Sequence, residues 1–506
     1  MMDTSQKLKE VTELVEFGEY FTINRPRQYG KTTMLQSLFY NYQKHPDYIA
    51  VEMSLQGIDG KWHESDDAFA IMFIELLTKL LKYEVPTLTT FLNELKTTVV
   101  DMNTLSSAIT NIIRKVNKKI ILLIDEVDAS HNYLPFLIFL GMLRKKYLNR
   151  FKPQYATFHS IVLAGVHDIK SLKYKKERAE SASFNSPWNI AIDFKVRMSF
   201  IPKEIEPMLA EYSQLEGVTM DIPAIAERLY YHTSGYPFLV SKICKTIAED
   251  ILPKQTQKHW DLADVEAAIQ QLLKENNTNF DSLIKNLENN EGLYDLAYEV
   301  IINGAVIPFN PDEPMIALGR LYGIFKANGH LKVHNRLYEQ RLYNYMTAKT
   351  FQKLLRQRKH NFGTVAFIND DNTLNLEAVL LKFQQFMKEQ YSNKLTDYLE
   401  KEWRVLFLAF LKPILNGKGY DFKEVEVSEE KRLDVVVAFL QHRYIIELKQ
   451  WYGPKAHQKG IEQLSHYLDI HNVQQGYLII FDHRKKKKWI QEIITHQGKS
   501  IFAVWV

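Results

Sequence analysis

Two short segments constrain this chain more than the rest of it. Tyr20–Asn24 reads as a strand and runs into Arg25-Pro26-Arg27-Gln28-Tyr29-Gly30-Lys31-Thr32-Thr33, where helical periodicity begins. A glycine-lysine-threonine step at a helix N-terminus offers free N–H groups and the positive end of the helix dipole to a phosphate. In that arrangement Lys31 reaches β- and γ-phosphates and the Thr32 hydroxyl ligates Mg²⁺. Much later, the apolar run Ile120–Ile124 ends in Asp125-Glu126. An uninterrupted apolar run suits a parallel strand covered on both faces, and ligands sit at the carboxyl ends of such strands. Asp125 is placed to hold the metal through water and Glu126 to polarise an attacking water. The plainer alternative for this pair is an acidic helix cap after a core strand. One departure stands out: the usual phosphate loop has glycine where this chain has Arg25.

Strand-like runs recur at Tyr48–Leu55 and Ser160–Val166, with helical patterns between them. That alternation predicts a parallel sheet covered by helices. Ser160–Val166 ends in His167-Asp168, where His167 either senses a γ-phosphate or sits in an ordinary loop. From 201 to 275 the periodicity is helical only, over Ile205–Leu215, Pro223–His232, Pro237–Leu252 and Leu262–Lys274. The turn Ser234-Gly235-Tyr236-Pro237 either lines an adenine pocket through Pro237 or simply joins two helices. Residues 276–347 mix helices with a hairpin-like piece, Ile324–Val333, and look like a winged-helix unit. Residues 348–375 read as a linker. The last block, 376–506, starts with helices Leu376–Gln390 and Leu395–Leu415. Strands follow at Phe422–Val427, Leu433–Leu440 and Tyr444–Leu448, then a helix, Lys459–Asp469, and a strand, Gly476–Phe481. The expected division is 1–200 nucleotide-binding core, 201–275 helical lid, 276–347 winged-helix-like unit, 348–375 linker and 376–506 αβββαβ domain.

Composition narrows the partners. Lys and Arg number 64 against 60 Asp and Glu, a net charge of +4, which permits a nucleic-acid partner without requiring one. Cys244 is the sole cysteine, so an intrachain disulfide and a cysteine-rich zinc site are excluded. That usage fits a reducing cytoplasm. The apolar stretches Tyr133–Leu143 and Trp403–Leu411 fall short of the roughly 18–20 residues that span a bilayer. Met1-Met2-Asp3-Thr4 shows no basic n-region followed by an apolar h-region, so no leader peptide is expected. The expectation is a cytoplasmic protein with no membrane partner.

A second group of chemistry-bearing residues lies near the end. Arg432-Leu433-Asp434-Val435-Val436-Val437 and Tyr444-Ile445-Ile446-Glu447-Leu448-Lys449 read as the arms of a hairpin. With Gln441-His442 as a two-residue turn, Leu440 pairs with Arg443 and Asp434 with Lys449. Glu447, two residues from Lys449, then shares its face. Acid, acid and lysine on one apolar ribbon face are costly unless they pair or bind a metal. Two carboxylates suit a hard divalent cation, and the lysine can orient water or offset charge on phosphorus. A surface salt bridge is the plainer alternative. Gln463 and Tyr467 lie four apart on the next helix and share a face. Arg484–Lys488, a run of basic residues, reads as a solvated turn in preference to a phosphate contact.

The loop Arg25–Thr32, together with Asn185–Ile190 and Asn335–Tyr338, resembles a prokaryotic AAA-like ATPase family, AAA+ and related to the STAND ATPases, over roughly residues 5–347. That family carries R-P-R-x-[FY]-G-K-[ST], so Arg25 is expected within it. The D-x12-E-x-K spacing and the following Q-x3-Y helix resemble the PD-(D/E)XK nuclease superfamily, fused behind such ATPases. The resemblance implies Asp434 and Glu447 as metal ligands, Lys449 as catalytic and Gln463 as supporting, with Glu402, or else Glu400, as a further acid. It implies an α/β protein: a P-loop NTPase parallel sheet with helical lid, and a C-terminal restriction-endonuclease-like domain. ATP and Mg²⁺ are the implied cofactors and nucleic acid, DNA before RNA, the implied partner; a homo-oligomer is allowed. A nucleotide-switched binding protein with an inert nuclease fold is the alternative function.

Overall fold

The computed structural model describes every residue except 1, 58–59, 131–132, 167–173, 176–182, 185–187, 303–304, 357–366, 368, 370, 372, 392–405, 409, 412–418, 424–434, 440–441, 483 and 485–487. The chain divides into two compact units. One comprises Met1–Asn289, Asn310–Ala327 and His334–Leu337; the other comprises Asn290–Phe309, Asn328–Val333 and Tyr338–Val506. Among the described residues no helix is long and apolar enough to cross a membrane.

The first unit is built on a parallel sheet of β1 (Tyr20–Asn24), β2 (Tyr48–Ser54), β3 (Lys119–Asp125) and β4 (Ser160–Gly165), in the order β1-β4-β3-β2. Ile120 to Asp125 are all buried and β4 is buried throughout, as expected of strands covered on both faces. Phe69 and Phe73 of the Asp66–Glu84 helix meet Phe136 and Phe139 of the Leu134–Leu148 helix, and this aromatic cluster anchors one layer of the core. The register pairs Asn24 with Gly165 and Ser54 with Asp125, so the carboxyl ends of neighbouring strands finish together. Helices Pro202–Glu216, Ile222–Thr233, Pro237–Thr246 and Leu262–Lys274 follow. The expected helix Pro237–Leu252 stops as an α-helix at Thr246 and continues as a π-turn over Ile247–Ile251. Pro253 follows closely and lacks the N–H that a longer α-helix would need.

In the second unit, β5 (Gly419–Lys423), β6 (Val435–Phe439), β7 (His442–Gln450), β8 (Gln475–Phe481), β9 (Gln491–His496) and β10 (Lys499–Trp505) form a mixed sheet. Its order is β5-β6-β7-β8-β10-β9. The Pro454–Ile470 helix covers one face, packing Ile461, Leu464 and Leu468 against Ile445, Leu478 and Ile501.

Two expectations change here. The strand expected at Phe422–Val427 coincides with β5 (Gly419–Lys423) at residues 422 and 423, and residues 424–427 lie outside the described residues. The pair β9 and β10 continues beyond the expected αβββαβ order. Their turn, Gln497-Gly498, has positive φ at both residues (+49° and +76°), as a tight hairpin turn requires. Strand β9 is mostly exposed, so its apolar signal is weak. The hairpin register also differs: Arg443, expected opposite Leu440, stands opposite Ala438, Phe439 stands opposite His442, and the ladder runs back to Val435–Ile446. Asp434, expected opposite Lys449, lies outside the described residues. The shift of two keeps every residue on its face. Val435, Val436 and Val437 are all buried, so the apolar pattern carries no register signal to separate the two alignments.

Candidate functional sites

The phosphate loop joins β1 to the Lys31–Tyr42 helix. Gly30 caps that helix in the left-handed region (φ +84°), where glycine is unstrained. Gln28 (φ +57°) and Glu126 (φ +53°) are also left-handed, which is uncommon for non-glycine residues and concentrates at functional sites. The Lys31 side chain is buried, and its Nζ donates to the carbonyls of Arg25 and Pro26, each at 3.0 Å. Burial lowers the Lys31 pKa, opposed by the charges of Asp128, Glu126 and Asp125. Thr32 Oγ1 donates to Asp125 Oδ2 at 2.6 Å, and Asp125 Oδ1 accepts the Glu126 N–H at 2.8 Å. Loop and strand acid are thus joined by the hydroxyl–carboxylate pair suited to a hard cation. Arg27, Gln28, Thr32 and Thr33 are exposed and Tyr29 is buried. Pro237, buried, starts its helix. His167 lies outside the described residues.

Arg25 has a structural occupation. Its Nη2 donates to the carbonyl of Val196 at 2.9 Å and that of Phe194 at 3.4 Å, and Nη1 to the Asn24 carbonyl at 2.8 Å. Its guanidinium lies over the Phe194 ring at 5.1 Å. Where glycine usually stands, this loop has an arginine that clamps residues 194–196.

Several contributors here were not singled out from sequence. Asp128 Oδ2 accepts the Val166 N–H at 2.6 Å and ties the end of β4 to the acidic turn. Gly165 allows this approach, since a Cβ there would fall 2.7 Å from Val127 Cγ2. Tyr236, beside the expected Pro237, donates its hydroxyl to the Arg27 carbonyl. Tyr29 packs edge-on to Tyr236 at 4.6 Å, and its hydroxyl lies 3.3 Å from His334 Nε2. Burial, reinforced by the Lys326 charge, pulls the His334 pKa down to about 4. No helical or strand periodicity marks these contacts.

In the second unit the structure brings Glu447, Lys449 and Gln463 together. Glu447 is completely buried. Its Oε1 is in ion-pair contact with Lys449 Nζ. That contact is a charge pairing: among the described residues neither Glu447 oxygen accepts a hydrogen bond of proper direction. Lys449 Nζ donates to Gln463 Oε1 at 3.2 Å. Gly460 admits the lysine stem; a Cβ there would meet Lys449 Cγ at 3.3 Å. Asp434, Glu402 and Glu400 lie outside the described residues. Among the described residues no group of three or more His, Cys, Asp or Glu side chains forms a metal cluster.

Residues 4–344 match the family described as AAA-like domain. The chain belongs to that family. Residues 419–493 of this AAA-like protein match the PD-(D/E)XK nuclease superfamily, so it carries a nuclease-superfamily domain toward its C-terminus. Among solved structures it is similar to the Walker-type ATPase paby2304 of Pyrococcus abyssi (13% identity, TM-score 0.44, covering 68% of this chain and 96% of that one). It is also similar to the Aeropyrum pernix ORC1 protein in complex with DNA (12%, 0.31, 68% and 93%) and to the Thermotoga maritima RuvB Holliday junction branch migration motor (13%, 0.32, 68% and 94%). A comparison with curated proteins gave no match.

Proposed function

We propose that this AAA-like protein binds and hydrolyses ATP and uses its C-terminal domain as a Mg²⁺-dependent phosphodiesterase on DNA. The observation that carries the second half is Glu447: a fully buried carboxylate with no directional hydrogen bond among the described residues, beside a lysine held by Gln463. A buried acid so poorly served by hydrogen bonds is expensive to keep, and a divalent cation would satisfy it. Asp434 and Glu402 are the acids proposed to complete the set.

The metal, when bound, supplies positive charge to the reacting phosphate. Lys449 offers ammonium donors to a phosphoryl oxygen, and Gln463 fixes where that ammonium points. At the other site Lys31 transfers its donors from the loop carbonyls to the nucleotide phosphates. Thr32 and Asp125 are the proposed Mg²⁺ partners. Glu126, held at the end of β3, orients the attacking water. Arg27, Gln28, Tyr29, Gly30 and Thr33 shape the loop, and His167 and Pro237 are proposed to contact the nucleotide. Nucleotide state, acting through the 201–275 lid and the winged-helix-like 276–347 unit, is proposed to regulate cleavage, in the cytoplasm.

The test is cleavage of labelled DNA in Mg²⁺ by the purified chain and by Lys449→Ala, with ATP binding measured on Lys31→Ala. Loss of cleavage in the first variant and of ATP binding in the second is expected. Equal cleavage by parent and Lys449→Ala overturns the assigned site. A second reading, a nucleotide-switched binding protein with an inert nuclease fold, draws on the Glu447–Lys449 ion pair, which offsets charge without metal. Lys31-dependent ATP binding with no cleavage under any divalent metal would favour it.

A further inference from the structure

The strand face that carries Glu447 and Lys449 continues to Trp451, whose N–H still donates to the Phe481 carbonyl at 2.9 Å. Same-face residues along a strand are roughly 6.6 Å apart, so Trp451 stands one such step beyond the lysine. His457, on the helix that also carries Gly460 and Gln463, packs on Trp451 with ring centres 5.6 Å apart. Trp505 joins the cluster, 6.3 Å from Trp451 and 5.3 Å from His457. Over this aromatic plate, 5.2 Å from the Trp451 ring, lies the guanidinium of Arg484.

Arg484 is held more firmly than a residue of a solvated turn. Asp482, with a side chain 1% exposed, takes Arg484 Nε at 2.9 Å, Nη2 at 2.7 Å and the backbone N–H at 3.0 Å. One edge of the guanidinium is spent on this fork. Among the described residues Nη1 donates to nothing, and the side chain is 53% exposed. A planar cation fixed by a buried acid and a tryptophan, with one edge outward, matches the geometry by which arginine binds phosphate.

We infer that Arg484 is a phosphate-binding residue for a DNA strand, holding a backbone phosphate next to the one presented to Glu447 and Lys449. The inference rests on the nuclease reading for its substrate. Its position follows from the strand, which puts Trp451, the ring beneath Arg484, one same-face step of roughly 6.6 Å beyond Lys449. Asp482 acts through Arg484 as a positioning residue.

The experiment is fluorescence anisotropy of a fluorescein-labelled single-stranded DNA oligonucleotide with the full chain, in Ca²⁺ in place of Mg²⁺, across a salt titration. Arg484→Ala is expected to bind roughly five- to tenfold more weakly, and the salt slope to fall by about 0.7, the value for one phosphate contact on a single strand. Arg484→Lys keeps the charge but loses the fork, and Asp482→Asn frees the guanidinium; both are expected between parent and Arg484→Ala. An unchanged salt slope in Arg484→Ala overturns the inference, even if that variant is less stable, because a purely structural clamp alters stability and leaves the slope alone. Cleavage separates the two readings. Lys449→Ala without cleavage, alongside Arg484→Ala with unchanged DNA binding, leaves the nuclease and removes the phosphate contact. A parent chain that never cleaves, yet loses slope on Arg484→Ala, does the reverse.

Discussion

Replacing Arg25 by glycine would complete the usual phosphate-loop pattern, and we expect it to damage the protein. The Arg25 side chain donates to the carbonyls of Asn24, Phe194 and Val196 at 2.8–3.4 Å and lies over Phe194. A hydrogen bond from a charged group contributes about 1.5–3 kcal/mol. Counting only the bond to Val196, which reaches furthest along the chain, and adding about 0.5–1 kcal/mol for the cation–π contact and a similar amount for glycine's freedom in the unfolded state, Arg25→Gly should lose about 2.5–5 kcal/mol. Burial lowers the Arg25 pKa, so water already serves this cation poorly and its protein contacts matter correspondingly more. Arg25→Met, which keeps the stem but not the donors, should recover only the packing part. The assay is urea unfolding of parent and both variants, with affinity for a fluorescent ATP analogue measured alongside. Arg25→Gly that unfolds within about 0.5 kcal/mol of the parent and binds ATP more tightly would refute the clamp.

Three further outcomes are expected. Burial pulls the His334 pKa from its ordinary 6.5 down to about 4, so between those values the unfolded chain holds more protons and stability falls as pH drops from 6.5 to 4. The loss is at most about 3 kcal/mol, discounted because the ring keeps some surface; urea unfolding of His334→Phe should show a shallower pH dependence than the parent, and parallel curves would be wrong for this account. Gly235→Ala would set a Cβ 1.8 Å from the Phe200 carbonyl oxygen at φ +71°, and unfolding should show a loss of about 3 kcal/mol or more, whereas Gly217→Ala, at φ +65° with nothing within 4 Å, should lose about 1 kcal/mol. Glu447→Gln removes a buried charge and leaves the partly exposed Lys449, so stability should change by no more than about 1–2 kcal/mol while cleavage drops to the metal-free background.

Much of the first unit was legible because its strands are long, apolar and buried on both faces. β1 and β3 lie where the sequence reading puts them, and Lys31, Thr32 and Asp125 meet where a strand–loop–helix unit must bring them. Arg25, Tyr236 and His334 were not legible, since their contacts span more than 160 residues of chain and depend on which loops the sheet happens to juxtapose. The Glu447, Lys449 and Gln463 grouping was readable from two-residue strand alternation and the following helix. The hairpin register was not, because valines buried on both faces fit either alignment. Gly460 escaped notice for a similar reason: a glycine inside a helix gives no sign of which side chain it makes room for.

The most direct measurement is anomalous scattering from a crystal of the chain soaked with Mn²⁺ and a non-hydrolysable ATP analogue. We expect one peak within about 2.5 Å of a Glu447 carboxylate oxygen and another beside Thr32 Oγ1 and the nucleotide. A crystal with nucleotide and manganese at Thr32 but no anomalous density at Glu447, with Lys449 still paired to it, would contradict the metal-dependent nuclease.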